Sequence, residues 1–327
     1  MKTHKNTRTP LTSDEALEYY ETIGIAEIVV IGGGPAGTSA AINAAARGRS
    51  CVLLSSSQTE NPLYRAKLVD NMPGFPDVSG QELLETFTSH VQRAGVPIIN
   101  GRVLSVLPTD FGSRRTGAQP GFQVAIGNRF IRASSVILAV GVARAKPIPG
   151  ETEYIGRGVS YCATCDGMLF RGKNIAVLAY SRDALEEALH LTRIGCHVTL
   201  FVRSADLKRW EYTLPEDAFT AVTEAGKYQI TGENGIVASI SADNTHYPVS
   251  GVFILRPLIP LSALLPGLET KDGHIPVSQT QATNISGVFA AGDCTGIPLQ
   301  IAPALGEGLI AALSADEYLT TQETQNK

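Results

Sequence analysis

Two cysteines three positions apart are the residues of this chain best suited to chemistry. Cys162 and Cys165 stand in the segment SYCATCDG, and Asp166 follows them directly. A C-x-x-C pair can close a small disulfide ring, and a helix that begins there would favour the thiolate. The carboxyl group of Asp166 could take up and release the proton that a dithiol cycle exchanges. The spacing predicts a redox-active disulfide with an acid–base group beside it.

The other cysteines argue against a metal site. Cys51, Cys196 and Cys294 are isolated, and the chain contains no second C-x-x-C pair. Four-ligand zinc sites need more ligands at close spacing, so we expect no metal. Isolated cysteines are more often packed in a core, and packed thiols are also the alternative interpretation of the close pair.

A glycine-rich turn near the start of the chain is the second candidate site. Gly32, Gly34 and Gly37 match G-x-G-x-x-G between an apolar run and an alanine-rich stretch. The first glycine allows a tight turn, the second lets the backbone approach a pyrophosphate, and the third permits close helix–strand packing. The motif predicts a dinucleotide site without separating FAD from NAD, and a glycine turn with no ligand is the alternative.

Repetition of the same pattern sets the expected architecture. The strand–turn–helix–strand pattern of residues 27–55 returns at 174–203, and 327 residues exceed what one compact core usually holds. We predict an α/β fold with two Rossmann-like, three-layer ββα nucleotide-binding domains, the second inserted in the first. The expected bounds are an N-terminal extension at 1–26, a discontinuous FAD-binding domain at 27–147 and 275–327, and a disulfide-bearing, degenerate NADPH-binding-like domain at 148–274.

Composition excludes several classes of function. The 27 basic and 31 acidic residues give a formal net charge of −4, with no long block of one sign, so a nucleic-acid partner is not expected. Apolar runs are shorter than the roughly 18 residues that a membrane span needs. The first 26 residues lack the apolar core of a secretory signal. We therefore expect a cytoplasmic location.

An ordered series of motifs resembles the small, bacterial-type thioredoxin reductases. The resemblance covers nearly the whole chain from Ile28 onward. The motifs that carry it are GGGPAG at 32–37, NMPGF at 71–75, VILAVG at 136–141, IPG at 148–150, GRG at 156–158, SYCATCDG at 160–167 and GVFAAGD at 287–293.

This resemblance implies a cofactor, a set of residue roles and an assembly. Cys165 would face the flavin, Cys162 would attack the substrate disulfide, and Asp166 would be the general acid and base. Family members are homodimers whose second domain carries both the disulfide and the NADPH site. That domain rotates, so that the two sites alternate at the flavin. The residues implied to bind FAD are Gly32, Gly34, Pro35, Ala36 and Gly37 at the pyrophosphate, Asn71 near the flavin, and Gly292, Asp293 and Gln300 at the ribityl chain and ring edge.

Three elements of the family's NADPH site are altered. The second fingerprint, expected as G-x-G-x-x-A, reads AYSRDA at 179–184, where side chains and the charge of Asp183 obstruct a pyrophosphate. The basic cluster for the 2′-phosphate reads VRSADLK at 202–208, which retains Arg203. The G-x-x-P-N segment is replaced by RPLIP at 256–260. The pattern favours an electron donor other than NADPH.

Three functions remain open on this basis. The leading hypothesis is an FAD enzyme that passes electrons from a donor other than NADPH, through the flavin and the Cys162/Cys165 disulfide, to a thioredoxin-like protein. Such an enzyme resembles the ferredoxin-dependent thioredoxin reductases and the diflavin-linked disulfide oxidoreductases. A second flavin could stack on Tyr180 or Trp210, and an acidic ferredoxin could dock on Arg203, Lys208 and Arg209. The alternatives are an NADPH-dependent thioredoxin reductase with an unusual loop and a non-catalytic flavin redox sensor.

Overall fold

The structure is a computed structural model that describes residues 13–22, 24–56, 58–111, 119–127, 129–142, 147–215, 218–256 and 261–325. The chain divides into two compact units, and the second interrupts the first as expected. The first unit comprises Met1–Val142 and Pro260–Lys327, and the second comprises Ala143–Ile259. The α/β fold class is confirmed.

One boundary differs from the prediction. Residues after 259 belong to the first unit, whereas the sequence placed the return at 275. The short helix Leu261–Leu264 packs against the strand Val103–Phe111 of the first unit, which explains the earlier return. Residues 143–146 and 257–260 lie outside the described residues.

Elements are numbered in chain order. The strands of the first unit are β1 (Ile25–Ile31), β2 (Cys51–Ser55), β3 (Ile98–Asn100), β4 (Val103–Phe111), β5 (Gln119–Ile126), β6 (Arg129–Leu138) and β15 (Val288–Ala290). Its helices are α1 (Ser13–Thr22), α2 (Pro35–Ala46), α3 (Gly80–Arg93), α7 (Leu261–Leu264) and α8 (Ile301–Gln325). The second unit contains β7 (Val159–Ser160), β8 (Asn174–Ala179), β9 (His197–Phe201), β10 (Thr220–Val222), β11 (Tyr228–Glu233), β12 (Ile236–Ala242), β13 (Thr245–Pro248), β14 (Gly251–Leu255), α4 (Ala163–Asp166), α5 (Asp183–Arg193) and α6 (Ser204–Arg209).

The first unit is built on a seven-stranded sheet in the order β3-β2-β1-β6-β5-β4, with β15 also paired to β6. Strands β3, β2, β1, β6 and β15 pair in parallel, while β4, β5 and β6 form an antiparallel meander. Parallel strands are covered on both faces, which accounts for the nearly continuous burial of β1 and β2. Helices α2 and α8 pack closely because Gly308 faces the carbonyl oxygen of Ala36, where a Cβ would come within 2.1 Å.

The second unit repeats the parallel arrangement. Its five-stranded sheet has the order β10-β9-β8-β14-β7, and a three-stranded antiparallel sheet, β11-β12-β13, accompanies it. Helix α5 buries Leu185 and Leu191 against Val177 and Phe253 of the sheet. Ala163 joins this core, so the segment that bears the cysteines is anchored to the unit's main packing.

The predicted N-terminal extension is partly a packed helix. Ala16, Leu17 and Tyr20 of α1 are buried, and β1 begins at Ile25, two residues before the predicted domain start. Residues 1–12 lie outside the described part of the chain. No helix within the described ranges is long and apolar enough to cross a membrane.

Candidate functional site: a glycine turn, a disulfide and an altered nucleotide loop

The glycine turn between β1 and α2 is closed by backbone contacts. Gly32 has φ of +118°, and a Cβ there would lie 2.1 Å from the carbonyl oxygen of Ala139. A Cβ on Gly37 would lie 1.8 Å from the carbonyl oxygen of Gly32. The first and third glycines therefore have the steric roles that their spacing predicts.

The start of α2 offers backbone donors to an anion. Gly34 caps the helix without a side-chain hydrogen bond, and Pro35 has no N–H. The first helical hydrogen bond runs from the Thr38 N–H to the Gly34 carbonyl oxygen at 2.9 Å, so the amides of Ala36 and Gly37 precede the helical ladder. A helix N-terminus with such amides suits a phosphate. These residues fit the pyrophosphate of FAD.

The remaining residues predicted to bind FAD lie at two places in the first unit. The Asn71 side-chain amide donates to Gln300 Oε1 at 3.0 Å. Gly292 lies against α2, because a Cβ there would be 2.7 Å from the Cβ of Ala36, and Asp293 begins the next short 3₁₀ turn.

Glu307 supports the Gly292 turn and was missed by the sequence reasoning. Its carboxylate accepts the N–H of Gly292 at 2.7 Å and the hydroxyl of Thr295 at 3.1 Å. No motif marks this glutamate, which is one of several charged residues on α8.

Cys162 is disulfide-bonded in the structure, and only 7 % of the residue is exposed. Helix α4 begins at the next residue and carries the backbone of Cys165, whose side chain lies outside the described part of the structure. The N–H of Asp166 donates to the Cys162 carbonyl oxygen at 3.3 Å. The Cys162 sulfur lies 3.4 Å from Thr164 Oγ1. This single turn keeps Asp166 adjacent to the disulfide.

Ser160 connects Asp166 to Cys162, and the sequence reasoning did not single it out. Its hydroxyl donates to Asp166 Oδ2 at 2.6 Å and accepts the N–H of Cys162 at 3.1 Å. The residue is 5 % exposed. A serine two positions before the first cysteine was the available signal. Ser160 therefore fixes the carboxyl group relative to the cysteine backbone.

A buried ion pair between Glu151 and Arg256 contacts Tyr161, the residue that precedes Cys162. Glu151 Oε1 accepts from Arg256 Nη1 at 2.7 Å and from the Tyr161 hydroxyl at 2.9 Å, and Oε2 accepts the N–H of Ile148 at 2.7 Å. Glu151 is fully buried and Arg256 is 7 % exposed. Burial, followed by the negative charge of Glu151, raises the pKa of Tyr161. Tyr161 is thus a neutral donor held by a carboxylate.

In the altered nucleotide loop, a loop side chain accepts a hydrogen bond from an amide at the start of the following helix. In the segment AYSRDA, the Ser181 hydroxyl accepts the N–H of Ala184 at 3.3 Å, and Ser181 is 5 % exposed. The first turn of α5 also contains Asp183. An amide that could face a phosphate is instead bonded within the protein, beside a negative charge. The loop does not reproduce the open helix terminus at Gly34.

The remnant of the basic cluster is neutralised internally. Asp206 accepts from Arg203 Nε at 2.6 Å and from Arg209 Nη2 at 2.9 Å, and its side chain is 7 % exposed. The hydrogen bond that Arg203 donates to Asp206 raises the pKa of Arg203. Two of the three cations predicted to dock an acidic donor therefore share a carboxylate. This pairing weakens the case for that patch and for a 2′-phosphate site.

The two aromatic residues predicted to stack on a flavin have different settings. The Arg256 guanidinium lies 5.3 Å from the centre of the Tyr180 ring, and Tyr180 lines a cavity of about 1020 Å³ in the second unit. Trp210 packs against the core of that unit, with the Arg209 guanidinium 5.5 Å from its ring centre. Tyr180 therefore lines a cavity in which a ligand could bind, whereas Trp210 does not line it.

The three isolated cysteines are buried and free, as a core role requires. Burial raises the pKa of Cys51 and of Cys294 to about 12. The pKa of Cys196 is also raised by burial. These thiols are poor nucleophiles at neutral pH.

Comparisons with known proteins agree with the motifs. Residues 26–308 match the family described as pyridine nucleotide-disulphide oxidoreductase. A thioredoxin reductase from Bacillus subtilis (strain 168) is 32 % identical over 316 residues, which cover 92 % of this chain and 97 % of the relative.

Solved structures give the same fold. A ferredoxin-flavin thioredoxin reductase from Clostridium acetobutylicum superposes with a TM-score of 0.80 at 37 % identity, covering 90 % of this chain and 98 % of that protein. A thioredoxin reductase from Gloeobacter violaceus superposes with a TM-score of 0.74 at 28 % identity, covering 94 % and 97 %. The chain belongs to the pyridine nucleotide-disulphide oxidoreductase family, as an FAD-binding oxidoreductase of the thioredoxin reductase type that acts on a disulfide.

Proposed function

We propose that this protein reduces a protein disulfide, such as that of thioredoxin, with electrons from a donor other than NADPH. Ferredoxin and a second flavin are the candidate donors. The observation that carries the proposal is a contrast between two loops. The glycine turn at Gly34 leaves helix amides available to a pyrophosphate, whereas at the corresponding helix of the second unit the Ser181 hydroxyl accepts the N–H of Ala184. The similarity to a ferredoxin-flavin thioredoxin reductase of C. acetobutylicum supports a donor of this kind.

Residues of the first unit would hold FAD. The pyrophosphate would be bound by the turn Gly32, Gly34, Pro35, Ala36 and Gly37. Asn71, Gly292, Asp293 and Gln300 would contact the flavin and its ribityl chain. When bound, FAD supplies a two-electron relay between the donor and the enzyme disulfide.

Disulfide exchange would use Cys162 and Cys165 as the redox pair. In the reduced enzyme, the Cys162 thiolate attacks the substrate disulfide and forms a mixed disulfide, and one substrate sulfur leaves as a thiolate that takes a proton. Cys165 then attacks the Cys162 sulfur, re-forms the enzyme disulfide and releases the second substrate thiol. Asp166, oriented by Ser160, gives and recovers the proton.

The sequence predicts a cytoplasmic location, and the family resemblance implies a homodimer. Size-exclusion chromatography with light scattering would measure the assembly. The pairing of Cys162 with Cys165 is likewise a proposal, which peptide mass spectrometry under non-reducing conditions would test.

A single-turnover experiment tests the disulfide chemistry without assuming a donor. Enzyme reduced with dithionite and freed of excess reductant is mixed with oxidised thioredoxin, and the thiols formed are counted with time. We expect Asp166→Asn to slow this step about 100-fold or more. Ser160→Ala should slow it about 10- to 100-fold, because one hydrogen bond to a charged group contributes about 1.5–3 kcal/mol. Ser160→Thr retains the hydroxyl and is the matched control.

The same experiment separates an enzyme from a redox sensor. An enzyme transfers two electrons per active site to thioredoxin within the turnover time. If wild-type enzyme leaves thioredoxin oxidised, or if Asp166→Asn reacts at the wild-type rate, the proposed exchange mechanism is wrong.

A further inference from the structure

The second glycine of the first unit's turn faces open space with one polar side-chain atom at its edge. Apart from its chain neighbours, a Cβ built on Gly34 would meet a single heavy atom of the described residues within 4 Å, the Asn61 amide nitrogen at 3.3 Å. The preceding Gly33 differs, because a Cβ there would lie 2.2 Å from Ser55 Oγ. A pyrophosphate approaches the backbone at the second glycine of such a turn. The Asn61 amide therefore borders the space that the pyrophosphate of FAD would occupy.

The orientation of the Asn61 amide is fixed by the 3₁₀ turn that it caps. Its Oδ1 accepts the N–H of Leu63 at 2.9 Å, at the start of the turn Pro62–Arg65. An N–H donates only to the oxygen of an amide, so Nδ2 is directed away from Leu63. Nδ2 makes no hydrogen bond within the described part of the chain. Its two N–H groups are therefore free to bind a ligand oxygen.

Helix α3 holds this 3₁₀ turn in place. The N–H of Gly80 donates to the carbonyl oxygen of Ala66 at 2.8 Å, and a Cβ on Gly80 would lie 1.8 Å from the carbonyl oxygen of Leu63. On the other side, the Gln58 side chain donates to Thr88 Oγ1 at 2.7 Å. These contacts lie before and after the capping residue in sequence. The donor is therefore positioned before a ligand arrives, which lowers the entropy cost of binding.

The chemistry of the surrounding side chains favours a phosphate oxygen as the acceptor. Dinucleotide-binding folds often carry an acidic residue near the end of the second strand, where it holds the ribose. Here β2 ends at Ser55, whose hydroxyl donates to the carbonyl oxygen of Ser56 at 2.9 Å. An amide N–H bound to an anionic oxygen makes a charge-assisted hydrogen bond, which is stronger than a bond between neutral groups.

We propose that Asn61 is a pyrophosphate-binding residue of the FAD site, and that its Nδ2 donates to a phosphate oxygen beside Gly34. It supplements the backbone amides of Ala36 and Gly37 at the start of α2. The proposal rests on the FAD site of the proposed function, but not on the electron donor or on the disulfide chemistry.

The rate of FAD release from the holoenzyme tests this role. Holoenzymes are diluted, and the fluorescence of free FAD is followed with time. Asn61→Asp keeps an oxygen for the N–H of Leu63 but replaces the donor by an anionic oxygen, so FAD should be released at least tenfold faster. Asn61→Ser keeps a capping oxygen without adding charge, and should release FAD at least threefold faster. The serine variant serves if the aspartate variant does not fold.

Two further variants separate the role of Asn61 from that of the site. Asn284 also accepts a backbone N–H through Oδ1, from Glu269 at 3.0 Å, and Asn284→Asp should release FAD at the wild-type rate. If Gly37→Ala loses FAD while both Asn61 variants release it at the wild-type rate, the FAD site stands and the role of Asn61 is refuted. If Gly37→Ala retains FAD, the proposed site itself is wrong.

Phosphorus NMR of the bound cofactor distinguishes a contact with the pyrophosphate from a general loss of stability. Asn61→Ser should shift at least one pyrophosphate resonance of bound FAD and leave the visible absorption of the flavin unchanged. Asn284→Asp should alter neither signal. Phosphorus resonances that stay at their wild-type positions in Asn61→Ser, or a change confined to the flavin absorption, would overturn the proposal.

Discussion

Replacing Glu151 by glutamine should destabilise the second unit strongly. The substitution removes the negative charge that the buried Arg256 faces at 2.7 Å. Its single oxygen can replace either Oε1, which accepts from Tyr161, or Oε2, which accepts from Ile148, but not both. Leaving one partner of a buried ion pair unpaired costs about 3–5 kcal/mol. Domains of this size are stable by about 5–15 kcal/mol, so the loss is a large fraction of the total.

The double variant Glu151→Gln with Arg256→Met is the control that isolates the charge. Removing both charges leaves neither partner of this pair buried without the other, and replacing a buried ion pair by uncharged groups is often nearly neutral. We expect the double variant to lie within about 2 kcal/mol of wild type. The difference between the single and double variants then measures the coupling of the pair.

Urea unfolding followed by tryptophan fluorescence is the appropriate assay. Trp210 is the only tryptophan of the chain and packs against the core of the second unit, so its emission reports this unit. If Glu151→Gln unfolds within 1 kcal/mol of wild type, the pair does not hold this part of the fold, and the support ascribed to Tyr161 is wrong.

Two further predictions concern the isolated buried cysteines and the glycine turn. Cys51 and Cys294, with pKa values of about 12, are roughly 0.01 % ionised at pH 8, so iodoacetamide should label them only after unfolding; labelling in the native protein would contradict their burial. Gly37→Ala should abolish FAD retention, because the new Cβ would lie 1.8 Å from a backbone oxygen. Gly306→Ala on α8 meets no atom within 4 Å and should retain FAD, as released flavin per chain would show.

Local sequence patterns were sufficient for much of the fold. The glycine spacing at Gly32, Gly34 and Gly37 predicted a strand–turn–helix whose steric contacts the structure contains, because these constraints act over a few residues. The presence of two units followed from the repeated pattern. The return to the first unit near residue 260 was misplaced, since it depends on the packing of α7 against β4, which no local pattern records.

The candidate site was predicted less completely. Cysteine spacing identified Cys162, yet Glu151 and Arg256 stand 105 positions apart in sequence and meet only in the fold. The loss of two glycines in AYSRDA indicated a damaged nucleotide loop, but the cap from Ser181 required the helix geometry. The positive charge that the basic patch could offer to a partner was overestimated, because Asp206 of the same segment pairs with two of its cations.

The most direct test of the central claim is an anaerobic titration of the purified protein with NADPH. Flavin absorbance is followed during the titration, and flavin per chain is counted after denaturation. We predict slow or absent bleaching by NADPH and prompt bleaching by a one-electron donor such as reduced ferredoxin. Full bleaching by stoichiometric NADPH at a catalytic rate, with one FAD per chain, would contradict the account and restore an ordinary NADPH-dependent reductase.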